Sequence, residues 1–579
     1  MAHPSDALAA GDPAPLRRNP SYLQFTPRRA MASFENLVVL ANYEETLREA
    51  RKMVWRDRGE PAVDIHDLWE CVEHGMRGGL RAGAIAFTIR SGVNLVLLLA
   101  RIRRVSKKAR LALIQHALLG SDSFRAGAML GSFVAIYRIL LNALPLLFPA
   151  NIPLRVRIRQ LIDTALRTPP DSMTDMESAL EDSPSLLGPS SAEFILPGPP
   201  TSQRSARLSS TAQAHQALVR KKTRRWHAII AGATAGGIAI LFEKRSRRNV
   251  IAQQLFVRGL QGSYNSYSDK RGFHIPHGDV LVFSIACGQI LYGFLLRPDT
   301  LPRSYTTWIN TAGKIPAESV AMNRDMVRTG TFKLSDLDTV LDWDDLAPGN
   351  RTELTLRRAL ASQTPPIFGA RYGPCAATHP TVDGCLQVPP DRFFAVFKWM
   401  FPIYGALHLI PMLLFKRKSF VKDPLRMLAR AGWGTTRSSA FLGVFVVIYQ
   451  SYYCANQNLH RYLSALRASS TSSFKPPLWL LGMLISKPAF WFGGLLSGLS
   501  LFVEAKRRRG ELAMYVLPKG LESAWVMARG KGLVFRTGQY GEALLTAIGM
   551  GMVMSTYQND PQYLSGLVRR VLYQFIGPN

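Results

Sequence analysis

WHAIIAGATAGGIAILFEKRSRR, residues 226–248, joins an apolar, glycine-spaced run to a glutamate and a burst of basic residues. FWFGGLLSGLSLFVEAKRRR, at 490–509, repeats the arrangement. Both read as helices that sit in hydrocarbon and stop at its boundary. Gly232 and Gly236 in the first, and Gly494 and Gly498 in the second, lie one turn apart on one helix face. Small residues so placed let backbones approach closely where lipid gives no hydrophobic drive for association. Gly127 and Gly131 form a third such pair, and all six are read as helix-packing positions. Glu243 stands beside Arg247 and Arg248, and Glu504 beside Arg508 and Arg509. Each boundary carboxylate thus has a partner and need not lie alone in hydrocarbon.

Similar apolar blocks occur at 82–100, 126–147, 280–296, 393–415, 440–453 and 543–556, several near the roughly 20 residues that cross a bilayer. The chain, 579 residues long, is 47% hydrophobic and 19% charged, with a formal charge of +31. That charge is placed at block ends: RIRRVSKKAR after the first, EKRSRR after the third, KRKSFVK after the fifth and EAKRRR after the seventh. Lys and Arg there resist translocation and meet anionic lipid, so the charge sets membrane orientation. A nucleic-acid surface would interleave basic and exposed aromatic side chains or carry a recognisable module. Neither is present, and no nucleic-acid partner is expected.

The chain carries one unit twice. Aligning Glu243 with Glu504 sets Gly232 on Gly493, Gly237 on Gly498, Arg247 on Arg508, Arg248 on Arg509 and Gly259-Leu260 on Gly520-Leu521. Upstream, RAGAMLGSFVAIYR (125–138) matches RSSAFLGVFVVIYQ (437–450); downstream, His277-Gly278-Asp279 matches Tyr540-Gly541-Glu542. Agreement at separate places in one order marks an internal repeat. The expected fold is an all-α integral membrane protein with about eight transmembrane helices, arranged as two parallel four-helix repeats. The first repeat spans 71–310 and the second 375–575. Residues 1–70 read as a mostly disordered polar region, 169–224 as a disordered insertion rich in Pro, Ser and charge, and 311–374 as a polar linker. The acidic run LSDLDTVLDWDDL (334–346) reads as a solvated helix face, and Asn350-Arg351-Thr352 fits the glycosylation pattern.

Ionisable residues at membrane depth are candidate functional groups. Arg138 and Lys398 are placed to snorkel toward a span end, while Asp279 and Glu542 read as first-turn acids on helix N-termini. His408 also falls in a span. Arg90, inside AIAFTIRSGVNLV, has neither explanation and is the candidate cavity residue. Cys375, His379 and Cys385 have a metal-like spacing, but three ligands without a fourth nearby make a poor structural zinc site, so no metal is expected. Topology puts Cys375, Cys385 and Cys454 on the same side. In an oxidising compartment Cys454 would pair with one of the other two; in a reducing one all three stay as thiols. No nucleophile elbow, phosphate loop, dinucleotide fingerprint or His-Glu-x-x-His is present, so no enzyme activity, catalytic residue or cofactor is expected.

LGSFVAIYR, HAIIAGATAGGIAILFEKRSRR, FHIPHGDVLVFSIACGQILYGF and LRPDTLPRSY (296–305) resemble the transmembrane protein 135 family, also called the peroxisomal membrane protein 52 family. CAATHPTVDGC (375–385) is similar to that family's cysteine-rich element, although the two halves stand here in exchanged order. More distantly, glycine-bearing spans with basic loops resemble the Tim17/Tim22/Tim23 translocases. The resemblance implies a multi-pass protein of peroxisomal or mitochondrial membranes, tied to organelle maintenance and lipid metabolism. Its partners would be membrane lipids and other organelle-membrane proteins or a second copy. A translocase-like surface for protein or lipid, a solute transporter centred near Arg90 and a structural scaffold are the functions this reading leaves open. The translocase likeness also implies a cysteine clamp at Cys454.

Overall fold

The computed structural model describes residues 65, 67–99, 110–148, 225–415, 417–469 and 475–576. The expected insertion at 169–224, nearly all of the N-terminal region and most of the RIRRVSKKAR loop lie outside the described residues. Among the described residues the chain is helical and contains no strand. The helices are α1 (Leu68–Leu99), α2 (Arg110–Leu119), α3 (Ser121–Leu147), α4 (Arg225–Ala239), α5 (Arg245–Arg271), α6 (Gly278–Leu296), α7 (Arg303–Gly313), α8 (Ala317–Thr329), α9 (Leu334–Leu341) and α10 (Pro348–Ala361). They continue with α11 (Cys375–Thr378), α12 (Val388–Phe415), α13 (Arg417–Lys422), α14 (Pro424–Ala468), α15 (Leu478–Leu484), α16 (Lys487–Ser497), α17 (Lys506–Gly530), α18 (Gly541–Asn559) and α19 (Gly566–Ile576).

Six stretches among these are long and apolar enough to cross a membrane: 68–99, 110–147, 225–242, 278–296, 388–410 and 424–468. The bent pair of α15 with the segment 487–503, turned by 54°, makes a seventh if it is one span. Pro488, at the first turn of α16, suits that break because proline starts a helix but cannot continue one. The block expected at 543–556 lies in α18, which is not among the candidate spans. Glycines, threonine and polar residues at its end dilute its apolar character.

The helices divide into two compact units that do not coincide with the sequence halves. Among the described residues, one unit takes those within 65–274 together with 537–576, and the other those within 275–536. The fourth apolar helix of each half therefore belongs to the unit formed by the other half: α18 packs on α4 and α5, and α6 on α16 and α17. The sequence repeats expected at 71–310 and 375–575 therefore do not coincide with the compact units. The aligned segments of the two halves carry similar sequences, so nothing in the pattern of α6 or α18 tells which half it packs against.

In the first unit, α1 and α3 meet through glycines on both helices. A methyl group at Gly131 would lie 3.0 Å from the Gly79 carbonyl oxygen, and one at Gly127 3.0 Å from that of Gly83. Gly232 and Gly236 of α4 face Met554 and Met550 of α18, within a core that also holds Phe133, Tyr137 and Ala231. In the second unit, Gly494 abuts the Cys287 carbonyl and Gly498 abuts Ser284, both on α6. The aligned segments share a local shape: a 3-10 turn, 240–242 or 498–503, ends at Glu243 or Glu504 with nearly identical backbone angles, φ −78° and −77° with ψ 157° in both.

Residues 311–374 are folded rather than forming a plain polar linker. Helices α8, α9 and α10 enclose Met322, Met326, Leu337, Val340 and Leu354, all fully buried. These apolar residues recur at helical spacing within a polar stretch, which is how a small amphipathic cap hides in average composition. Asp338 on the opposite face of α9 pairs with Arg358, in keeping with a solvated acidic face.

Close approach at Gly498 has a measurable consequence. An added methyl there would sit 2.4 Å from Ser284 Cα, a backbone atom that cannot swing aside. Gly498→Ala is expected to lower stability by about 1–3 kcal/mol, seen as a reduced Tm of the detergent-purified chain. Gly92→Ala, where nothing lies within 4 Å, should leave the Tm unchanged or slightly raised.

Candidate functional site

Helix α14 has 45 residues, about 68 Å at 1.5 Å per residue, against a hydrocarbon core near 30 Å. Its C-terminal part places Gln450, Tyr453, Cys454, Gln457 and Arg461 on one face, at helical spacings of three and four. Every one of them meets the segment that runs from α7 to α12. Gln450 Nε2 donates to the Gly313 carbonyl at 2.7 Å. The Tyr453 hydroxyl lies 3.0 Å from Asn323 Oδ1 and 3.2 Å from the Gly373 carbonyl. Gln457 Nε2 donates to that same carbonyl at 2.9 Å, and Arg461 pairs with Glu353 at 3.0 Å.

Cys454 is the centre of this seam. Its thiol, those of Cys375 and Cys385, and a ring nitrogen of His379 lie within 4.8 Å of one another. Cys375, His379 and Cys454 are buried, at 3%, 2% and 4% exposure, while Cys385 is half-buried. Sequence placed three of these groups close together; α14 brings the fourth. Cys375, Cys385 and Cys454 lie together, and their thiols are free rather than bridged.

The surroundings hold these groups in place. His379 Nδ1 lies 3.0 Å from the Val382 carbonyl, which leaves Nε2 toward the sulfurs, 3.6 Å from Cys385 Sγ. Cys375 Sγ donates to Gln457 Oε1 at 2.8 Å. Asn350, buried at 7% exposure, donates through Nδ2 to the carbonyls of His379, Pro380 and Val382 at 3.0, 3.2 and 2.9 Å. An amide engaged in this way is no glycan acceptor, so the tripeptide at 350–352 is a sequence coincidence. Burial opposes a charged His379, but hydrogen bonds to Cys385 and Cys454 outweigh it and carry the imidazole up to about 10. Hydrogen bonds with Cys375, Cys454 and His379 push the Cys385 thiol well below its ordinary range, while those with Cys385 and Cys454 push Cys375 up.

Beside the seam the same unit contains an apolar cavity of about 140 Å³. Phe283, Phe294, Trp308, Tyr404, Phe445 and Tyr515 are among the aromatic residues that line it, and the amphipathic α7 forms one wall. Tyr449 and Gln450 are also part of this lining. The Tyr449 hydroxyl and Gln450 Oε1 are buried without a hydrogen-bond partner among the described residues, although their side chains are 7% and 2% exposed. Sequence reading missed them. Their signal was the aligned pair Tyr137-Arg138, an aromatic and a polar residue repeated inside two apolar runs.

The boundary charges form two clusters, one per unit. Glu243, 4% exposed, accepts from Arg247 at 2.6 Å, and Arg248 Nε donates to the Glu243 carbonyl at 2.8 Å. Glu504, 2% exposed, accepts from Ser438 at 2.8 Å, lies 3.7 Å from Arg508, and its carbonyl accepts from Arg509 at 3.0 Å. Arg90 joins the first cluster. Its Nη2 is 3.6 Å from Asp122, which Lys244 and Arg247 also pair with. Arg90, expected to face a polar cavity or a partner, thus has a charged partner in Asp122. Arg138 does not snorkel. It is 7% exposed, 3.1 Å from His74 Nε2, and donates to the Ile576 carbonyl. Lys398 is exposed, His408 bonds to the Tyr404 carbonyl at 2.8 Å, and Asp279 accepts from the Val280 amide in the first turn of α6. Glu542 likewise lies in the first turn of α18.

No family model, curated protein or solved structure matches this chain.

Asn350→Ala would strand three buried carbonyls and is expected to cost about 1–3 kcal/mol, read as faster proteolysis of the loop around 379–387. The wild-type chain made in a secretory compartment should show no mobility change on glycosidase treatment at this position.

Proposed function

We propose that this chain is a non-enzymatic, multi-pass protein of an organelle membrane, and that the unit 275–536 holds the polar end of a hydroxyl-bearing lipid. The observation that carries the reading is the aromatic cavity with two buried, unsatisfied polar atoms, one on Tyr449 and one on Gln450. Buried polar groups left without partners cost about 1–3 kcal/mol each, so a ligand that satisfies both is favoured. The Tyr449 hydroxyl can donate, and Gln450 Oε1 can only accept. A ligand hydroxyl does both at once, whereas an ester carbonyl only accepts. A volume of about 140 Å³ is close to that of an apolar cavity that admits benzene, about 150 Å³. It accommodates one ring or the first few carbons next to the hydroxyl, with the rest of the lipid outside. The peroxisomal or mitochondrial location and a role in organelle lipid metabolism belong to this proposal through the resemblance in sequence.

The experiment is photocrosslinking in native membranes with a diazirine-bearing long-chain alcohol. Wild-type chain should be labelled at α6, α7 or α14, and labelling should fall at least about tenfold in Val446→Trp, which fills the cavity, and severalfold in Gln450→Leu. Labelling that is unaffected by both substitutions, or that a fatty acid methyl ester matches, contradicts the reading.

A further inference from the structure

We infer that Cys375, His379, Cys385 and Cys454 bind one zinc ion, which fastens the cap formed by α8 to α11 to the protruding end of α14. The inference does not depend on the lipid reading. Three thiols and an imidazole are a donor set for structural zinc, which takes four N or S ligands in a tetrahedron. Bonds of about 2.3 Å to sulfur make the edge of such a tetrahedron about 3.8 Å. The Cys385 Sγ to His379 Nε2 separation, 3.6 Å, is already near this, and the whole set lies within 4.8 Å. Only small side-chain movements separate the present arrangement from a closed site.

Three further features point the same way. His379 Nδ1 is engaged by the Val382 carbonyl, 3.0 Å away, an outer hydrogen bond that fixes the ring and offers Nε2 as the ligand atom. Asn350 braces the backbone of the same loop through three carbonyls. Arg392, at 2% exposure, reaches the exposed Asp391 through Nη1 at 3.5 Å but has Nε and Nη2 without a partner among the described residues, and lies within electrostatic reach of Cys454. A zinc ion with three thiolates and a neutral imidazole carries one net negative charge, which a buried guanidinium offsets. Binding displaces the thiol protons and any proton on His379 Nε2 to solvent. The proton that Cys375 now shares with Gln457 is among those released. Four protein ligands leave no open position for substrate, so the ion is structural. Half-exposed Cys385 offers it a way in.

The test uses the full chain, purified from membranes in mild detergent without chelator, with metal content measured by inductively coupled plasma mass spectrometry. About one zinc per chain is expected, lost in Cys454→Ser and retained in Cys287→Ser. All five thiols should then be alkylated after denaturation in chelator without reductant. Zinc below about a tenth of an equivalent, iron in its place, or a denatured wild-type chain two thiols short, as a disulfide would leave it, overturns the inference. If Cys454→Ser does not accumulate, wild-type chain exchanged into Co(II) should show the visible bands of tetrahedral thiolate cobalt. Their absence also overturns it.

Discussion

One face of α14 decides how the second unit is built. Gln450, Tyr453, Cys454, Gln457 and Arg461 are polar side chains on a helix that is long and apolar enough to cross a membrane. All but the exposed Arg461 are buried, and buried polar side chains are costly unless hydrogen bonds compensate for lost water. The cap between α7 and α12 meets them with backbone carbonyls at Gly313 and Gly373, the Asn323 amide oxygen, Glu353 and a cluster of thiols. Because these partners come from separate points along the cap, satisfying the seam also fixes the cap's fold and the position of α7. The seam thereby links packing to the cavity, since Gln450 both anchors α7 and belongs to the cavity lining, with its Oε1 buried and without a partner among the described residues.

The membrane-embedded part rests on a different device. Small residues let helices approach until a Cβ has no room, at Gly79, Gly83, Gly127 and Gly131 in one unit and at Gly494 and Gly498 in the other. Beside these contacts Glu243 and Glu504 are almost wholly buried but each meets arginine or serine. Arg248 and Arg509 reach back to carbonyls at the ends of the 3-10 turns, where helices leave acceptors unpaired. Close packing and boundary charge are therefore parts of one arrangement: the turn that ends each apolar segment is closed by the charges that follow it.

Much of this was legible in sequence because it is local. Glycine spacing, apolar blocks and the charges after them are read within a dozen residues, and they mark α1, α3, α4, α6, α12, α14 and α16 as apolar helices. The partner of each helix was not legible. Nothing in α6 or α18 says that it packs against the other half, since the two halves carry similar sequences. The cap at 311–374 was hidden by its polar average, although Met322, Met326, Leu337 and Val340 carried its helical period. Cys375, His379 and Cys385 were visible as a group, while Cys454 joins them only through the fold. Tyr449 and Gln450 sit next to the seam and were visible only as one more aromatic-polar pair in an apolar run.

Hydrogen exchange of the detergent-purified chain, followed peptide by peptide, tests the docking of the cap most directly. If the seam forms, amides of α8 and α10 and those at Ile315 and Gly373 exchange as slowly as the C-terminal half of α14, and Gln457→Leu accelerates all of them together. Exchange of 311–374 at the rate of an unstructured chain, indifferent to Gln457→Leu, would contradict the account.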